Sequence, residues 1–155
     1  MNHNDSSKRR RRAFARERDL VRLLWKKGFA CMRAPASGSK VKRTIYPDVV
    51  AIWRGKVFVF EVKTSEKYRT IYIPRHQIEK LRVFTERAGG RAFIAVKIIG
   101  QGEPWKFIPV EQLEHTSSGN YKITMELLRR GLEVNDLMKY VGMLKSLNEY
   151  SGDSS

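Results

Sequence analysis

Residues 47–63 read PDVVAIWRGKVFVFEVK. Two apolar runs rich in β-branched and aromatic residues flank Arg54-Gly55. That is the pattern of an antiparallel hairpin with a two-residue turn. It assigns strands to residues 47–53 and 56–64. A turn centred on 54–55 sets Asp48 opposite Glu61, so their side chains share one face of the sheet. Alternation along the second strand puts Val57, Val59, Glu61 and Lys63 on one face, with Phe58, Phe60 and Val62 on the other. Both faces are apolar until position 61, which marks a central strand whose far end changes character.

Two carboxylates directly opposite each other repel unless a cation lies between them. Divalent cations such as Mg²⁺ take oxygen ligands and keep several waters, so one or two protein carboxylates suffice. Lys63 lies two residues beyond Glu61 on the same face, ~7 Å along the strand. There its ammonium can hold a water or balance charge developing on a phosphate. Glu-x-Lys by itself also describes a plain surface ion pair. Pro47-Asp48 ahead of an apolar strand, in this register, favours a metal site for phosphodiester hydrolysis.

Outward from the hairpin, residues 13–28 read as a helix. Phe14, Leu20, Val21, Leu24 and Trp25 recur at helical spacing, and Gly28 follows as a stop. Glu17 falls inside that stripe, where a lone carboxylate costs several kcal/mol, of the order of its desolvation, unless a partner meets it. Residues 29–35 read as a strand, followed by a polar and basic loop. After a basic, aromatic connection at 66–73, Pro74 opens a helix over 74–88, with Ile78, Leu81, Phe84 and Ala88 inward and Gly89-Gly90 closing it. Residues 91–98 and 105–108 are two further strands. A helical turn over 109–114, a loop at 117–120 and a tail helical from about 124 to 147, broken near Gly131 and with Asn135 or Asp136 as a cap, complete the chain. These elements make an α/β domain, residues 13–147, with a basic disordered arm over 1–12 and a disordered tail over 148–155.

The chain has 155 residues, 31 Lys and Arg against 16 Asp and Glu, and a net charge of +15. The excess is uneven. Residues 1–106 carry 26 basic and 9 acidic side chains, whereas 107–155 carry 5 and 7. A positive field confined to one part of the chain fits a polyanion, foremost nucleic acid. No apolar run approaches the ~18 residues of a membrane span. The basic N-terminus lacks the apolar stretch of a secretory signal. Cys31 is the single cysteine, which excludes an internal disulfide and a cysteine zinc cluster and fits an intracellular place. His3, His76 and His115 are scattered, without metal-ligand spacing, and no Walker-type phosphate loop is present.

Pro47-Asp48 and Glu61-Val62-Lys63, with Glu17 on the leading helix, resemble the PD-(D/E)xK nucleases. The segment Arg33-Ala34-Pro35-Ala36-Ser37-Gly38-Ser39 narrows the resemblance to archaeal Holliday junction resolvases of the Hjc type. It continues through Tyr72, Gln77, Gly89-Gly90, Lys106-Phe107-Ile108-Pro109 and Gly119-Asn120-Tyr121, covering about residues 8–145. The resemblance implies a restriction-endonuclease-like core, a central mixed five-stranded sheet flanked by helices. It further implies a homodimer that nicks four-way DNA junctions in pairs, with Mg²⁺ or Mn²⁺, during recombination and repair. Asp48 and Glu61 would be metal ligands, Lys63 the water-handling residue, Glu17 a helix-borne acid able to reach the metal, and Ser37 a group beside the scissile phosphate. Gln77 would support the site. Arg18 and Arg33 would contact the DNA backbone. Arg9, Arg10, Arg11, Arg12, Lys40, Lys42, Arg43, Arg69 and Arg75 supply further cations for DNA. Family analogy adds a replication clamp or a branch-migration helicase as a protein partner. Two departures from relatives stand out: the dense Arg9–Arg12 cluster, and Ala88 where some relatives place an aromatic residue near the dimer contact. The competing readings are a nuclease of the same fold acting on another branched or linear DNA, and a catalytically inert DNA-binding module.

Overall fold

The computed structural model describes residues 3–35 and 45–139. Its central sheet has five strands in the order β1 (Ala30–Arg33), β2 (Val49–Trp53), β3 (Lys56–Ser65), β5 (Arg91–Ile98), β6 (Lys106–Pro109). Three neighbouring pairs are antiparallel, while β3 and β5 are parallel. The parallel pair requires a crossover, and α2 (Arg75–Ala88) supplies it. This is the mixed five-stranded sheet flanked by helices that the resemblance implies.

The hairpin turns as read. Arg54 and Gly55 both have positive φ, 45° and 85°, the signature of a turn whose twist matches that of the flanking strands. Pairing runs Val49 with Phe60 and Val50 with Val59, so one further step sets Asp48 opposite Glu61.

The sheet has two unlike faces. On one, Phe29, Phe58, Phe60, Phe93 and Phe107 form a chain of ring contacts with centroids 5.6–6.1 Å apart. Helix α1 (His3–Lys26) covers this face with Leu20 and Leu24, joined by Leu137 from the helical residues 134–139. The other face is aliphatic: Val59, Ile94, Val96 and Ile98 meet Ile78 and Leu81 of α2.

Four details differ from the sequence expectation. Helix α1 begins at His3, so residues 3–12 are helical and not a disordered arm. Arginine is a good helix former, a helix turns successive side chains about 100° apart, and Asp5 ties Arg9 at 2.7 Å one turn on. Trp25 is 63% exposed, because the buried stripe of α1 runs through Leu20 and Leu24 with Val21 and Leu23 packed beside it, and Trp25 falls outside it. Ala88 is exposed in the last turn of α2. Residues 71–73 are a strand, β4 (Ile71–Ile73), in a small sheet with β8 (Tyr121–Ile123) and β7 (Glu114–His115). Ile73, Tyr121 and Ile123 from this small sheet close the aliphatic core.

The tail divides much as its pattern indicates. Helix α3 (Met125–Arg129) is capped by the Thr124 side chain, and a break at 130–133 precedes the helical residues 134–139. Asp136 accepts a hydrogen bond from the Glu133 N–H at 3.0 Å, a cap at that second start. Among the described residues no helix is long and apolar enough to cross a membrane. The expected tail beyond 139 lies outside the described residues.

Candidate active site

The site forms at the open end of the hairpin, where the aliphatic face runs out. Asp48 immediately precedes β2, with Pro47 buried behind it. One Asp48 carboxylate oxygen accepts a hydrogen bond from the Val62 N–H of β3 at 2.8 Å. The Asp48 carbonyl accepts from the Ala34 N–H at 3.0 Å, tying it to the end of β1 as well. The side chain thus takes over the ladder where the strand itself has ended.

Glu61 is 6% exposed, one of two buried polar residues in the described chain. Its Oε2 is buried without a hydrogen-bond partner. Charged oxygens in such a position are costly, and their presence calls for a cation. The nearest cation is Lys80 of α2, with Nζ 3.9 Å from that oxygen. Lys63 Nζ instead donates to Gln77 Oε1 at 2.5 Å. Gln77 therefore holds the lysine, as a supporting residue would. Glu17 stands on α1 with its carboxylate 3.9 Å from the Arg33 guanidinium of β1. Arg33 also lies over the Phe14 ring, 5.3 Å from its centroid.

The electrostatics tie the three acids together. Burial, then the Asp48 charge, push Glu61 up to about 7, against the lowering pull of Lys80 and Lys63. Glu17 also rises to about 7, through burial first and Asp48 second, with Arg33 opposing. Asp48 is raised by burial, despite the Val62 hydrogen bond and the two lysines. Three carboxylates are therefore held desolvated and mutually repelling at one place, which is what a cation-binding site does to its ligands in the cation's absence.

These donors fit a hard divalent metal in a particular way. Among the described residues no group of three or more Asp, Glu, His or Cys side chains is placed to hold a metal ion. Asp48 and Glu61 are a pair of oxygen donors that could hold a hard divalent cation, with water and substrate oxygens completing its shell. Glu17 is placed to act through its field rather than as a direct ligand.

Other expected residues fall in different places. Arg9, Arg10, Arg11, Arg12 and Arg18 are exposed along α1, and Arg69 is exposed ahead of β4. Arg75 opens α2 and pairs with Glu79 at 2.6 Å. Ser37, Lys40, Lys42 and Arg43 lie outside the described residues. Cys31 is half-buried, with its thiol donating to the Val21 carbonyl and its pKa raised by burial. Lys80 is the site residue that the sequence reading overlooked. The signal for it was present: Lys80 lies three residues after Gln77, on the same side of α2.

Residues 8–146 match the family model described as archaeal Holliday junction resolvase (Hjc). The chain belongs to the archaeal Holliday junction resolvase family. The crossover junction endodeoxyribonuclease Hjc of Sulfurisphaera tokodaii is 40% identical over 141 residues, covering 91% of this chain and 92% of that protein. The protein of the same name from Sulfolobus acidocaldarius is 38% identical, covering 81% and 85%. Among solved structures, Archaeoglobus fulgidus Hjc, a Holliday junction resolvase, aligns with a TM-score of 0.69 at 34% identity, over 78% of this chain and 95% of that one. The alignment confirms the restriction-endonuclease-like expectation for the fold.

Proposed function

We propose that this chain is a metal-dependent endonuclease that resolves four-way DNA junctions by paired hydrolysis of phosphodiester bonds. The observation that carries it is the buried, unpartnered Glu61 Oε2 beside Asp48, in a chain of the resolvase family. The family supplies the junction as substrate, and the site supplies the chemistry.

Asp48 and Glu61 hold the cation, taken to be Mg²⁺ with Mn²⁺ able to replace it. Bound there, it would acidify a water and offset charge on the phosphate. Lys63, steadied by Gln77, orients the attacking water and faces the developing negative charge. Lys80 keeps Glu61 compensated before the metal arrives. Glu17 holds its neighbours in a negative field that favours a cation, and Arg33 keeps Glu17 in place. Ser37 beside the scissile phosphate, and Arg18, Arg33, Lys40, Lys42, Arg43, Arg69 and Arg75 on the backbone, follow from the resemblance.

Cutting two opposed strands calls for two sites related by a two-fold axis, hence a homodimer. Exposed apolar side chains support it. On the α2 side of the sheet, Met32 (66% exposed) and Ile52 stand open on β1 and β2, with Val83 open on α2. A second copy of the chain would cover them.

The test is cleavage of a four-way junction and of a linear duplex of the same sequence, with and without Mg²⁺, by wild type and Glu61→Gln. We expect wild type to nick the junction alone, in symmetric pairs and only with the metal, and Glu61→Gln to bind without cutting. Equal cutting of the duplex would overturn the substrate. Undiminished cutting by Glu61→Gln would overturn the site.

A further inference from the structure

A second basic feature adjoins the site. Between the N-terminal half of α1 and the end of β3 with the loop after it lies a groove of about 720 Å³. Arg9, Arg12 and Arg16 line one wall; Thr64, Ser65, Lys67 and Arg69 line the other. Each wall continues an element of the site, since Arg16 precedes Glu17 on α1 and Thr64 follows Lys63 on β3. The groove thus borders the site along both elements, on the α1 side of the sheet, whereas Glu61 and Lys63 stand on the α2 side.

Its charge is selective. Five cations face one carboxylate, that of Glu66. Arg10 and Arg11, in the middle of the same basic run, do not line it, because the helix brings positions 9, 12, 13 and 16 to one side. Among the described residues the side chains of Arg12, Lys67 and Arg69 make no hydrogen bond or ion pair, so their charge is uncommitted. Arg16 gives one nitrogen to Asp19 at 3.2 Å, but its Nε is buried without a partner. The Arg16 side chain is otherwise one-third exposed, so its charge still reaches the groove. On the opposite wall the exposed Thr64 hydroxyl adds one neutral donor suited to a phosphate oxygen, while the Ser65 hydroxyl is committed to the Lys67 carbonyl at 2.7 Å. From Arg9 to Arg16 the helix rises about 10 Å, at about 1.5 Å per residue. One DNA strand rises about 3.4 Å per nucleotide, so the wall spans about three phosphates.

Building on the nuclease reading above, we propose that this groove binds the phosphodiester backbone of the DNA arm on one side of the cut. Arg12, Arg16 and Lys67 bind about three consecutive phosphates adjoining the scissile one. The groove contributes register on the junction rather than chemistry, and Arg10 and Arg11 supply only a diffuse field.

The experiment is a backbone scan. Phosphates within four nucleotides on either side of the cut are replaced one at a time by neutral methylphosphonates, and junction binding is measured without divalent metal. Wild type is expected to lose about threefold or more in affinity at two or three adjacent positions on one side only, a loss typical of a neutralised contact. Arg12→Gln/Arg16→Gln/Lys67→Gln should bind more weakly overall and be indifferent to those positions. Arg10→Gln/Arg11→Gln/Arg22→Gln, with the same loss of charge, should keep the wild-type pattern. Arg12→Gln alone, at an exposed and unpaired position, repeats the test without risk to folding. Should the groove variants keep the wild-type pattern, or the scan show no one-sided positions, the assignment is overturned. That outcome is distinct from failure of the resolvase reading, which shows as wild type cutting duplex and junction alike.

Discussion

The two ends of the β2–β3 hairpin are built from the same strands in the same register, yet they do opposite things. At the turn end, Arg54 and Gly55 adopt the φ values the turn demands, and Trp53 packs on Phe29 with centroids 5.5 Å apart. Gly28 leaves room for the Trp53 ring, which a Cβ at that position would meet at 2.5 Å. Apart from the left-handed Arg54, the choices there favour folding. At the open end, Asp48 and Glu61 are desolvated, repel each other, and leave an oxygen unpartnered. The first end stabilises the hairpin, and the second uses some of that stability to keep two carboxylates in a place they would otherwise avoid.

The largest effect should come from removing charge at the open end. Glu61→Gln is expected to lower junction cleavage by more than about 10²-fold, the scale of a lost transition-state contact. It should also raise the melting temperature of the metal-free protein, because the repulsion with Asp48 is gone. If cleavage falls but stability falls too, the open end is not the strained one. Next, Gly28→Ala is expected to cost about 2 kcal/mol in denaturant unfolding, from overpacking against Trp53 and from a φ of 100°. Its activity per folded molecule should be unchanged. A loss of activity without a loss of stability would erase the contrast between the two ends.

Acid should act on the open end alone. Glu17 and Glu61 titrate near 7 in the folded chain, above their unfolded value of about 4.5, so the folded state holds the extra protons. Their contribution is fully present below the unfolded value and lost as pH rises through about 7. Metal-free protein should therefore melt higher at pH 5 than at pH 8, and Glu61→Gln should flatten that slope. Added Mg²⁺ should restore stability at pH 8 by binding only the folded form. A profile that rises with pH in metal-free wild type would show that the acids are not desolvated. The smallest effect is expected at Lys80. Lys80→Met should lower metal-free stability at pH 8 by about 1 kcal/mol, the scale of a partly exposed ion pair, and tighten Mg²⁺ binding measured by calorimetry. Weaker Mg²⁺ binding would mean that Lys80 does not compete with the metal for Glu61.

The hairpin and its acids were legible because everything that sets them is local: a two-residue turn, an alternation of period two, and a count from one to the other. Glu17 was legible as a charge in an apolar stripe. Lys80 was legible only as a neighbour of Gln77 on α2, since its meeting with Glu61 depends on where α2 lands across the sheet. The small sheet of β4, β7 and β8 was hidden because its strands are only two or three residues long and β4 finds its partner β8 about fifty residues on. The start of α1 was misjudged because repulsion among Arg9–Arg12 was weighed above helix propensity and the Asp5–Arg9 pair.

The Val62 hydrogen bond to Asp48 carries a lesson about heredity. Asp48 is aimed by a main-chain N–H on the opposite strand, so its address is a position in the ladder rather than a set of neighbouring side chains. One residue inserted or deleted in the turn at 54–55 would slide the whole ladder and turn Glu61 to the other face. No replacement at the site itself could mend that. In descendants of this chain, the length of the turn should be guarded more strictly than its composition.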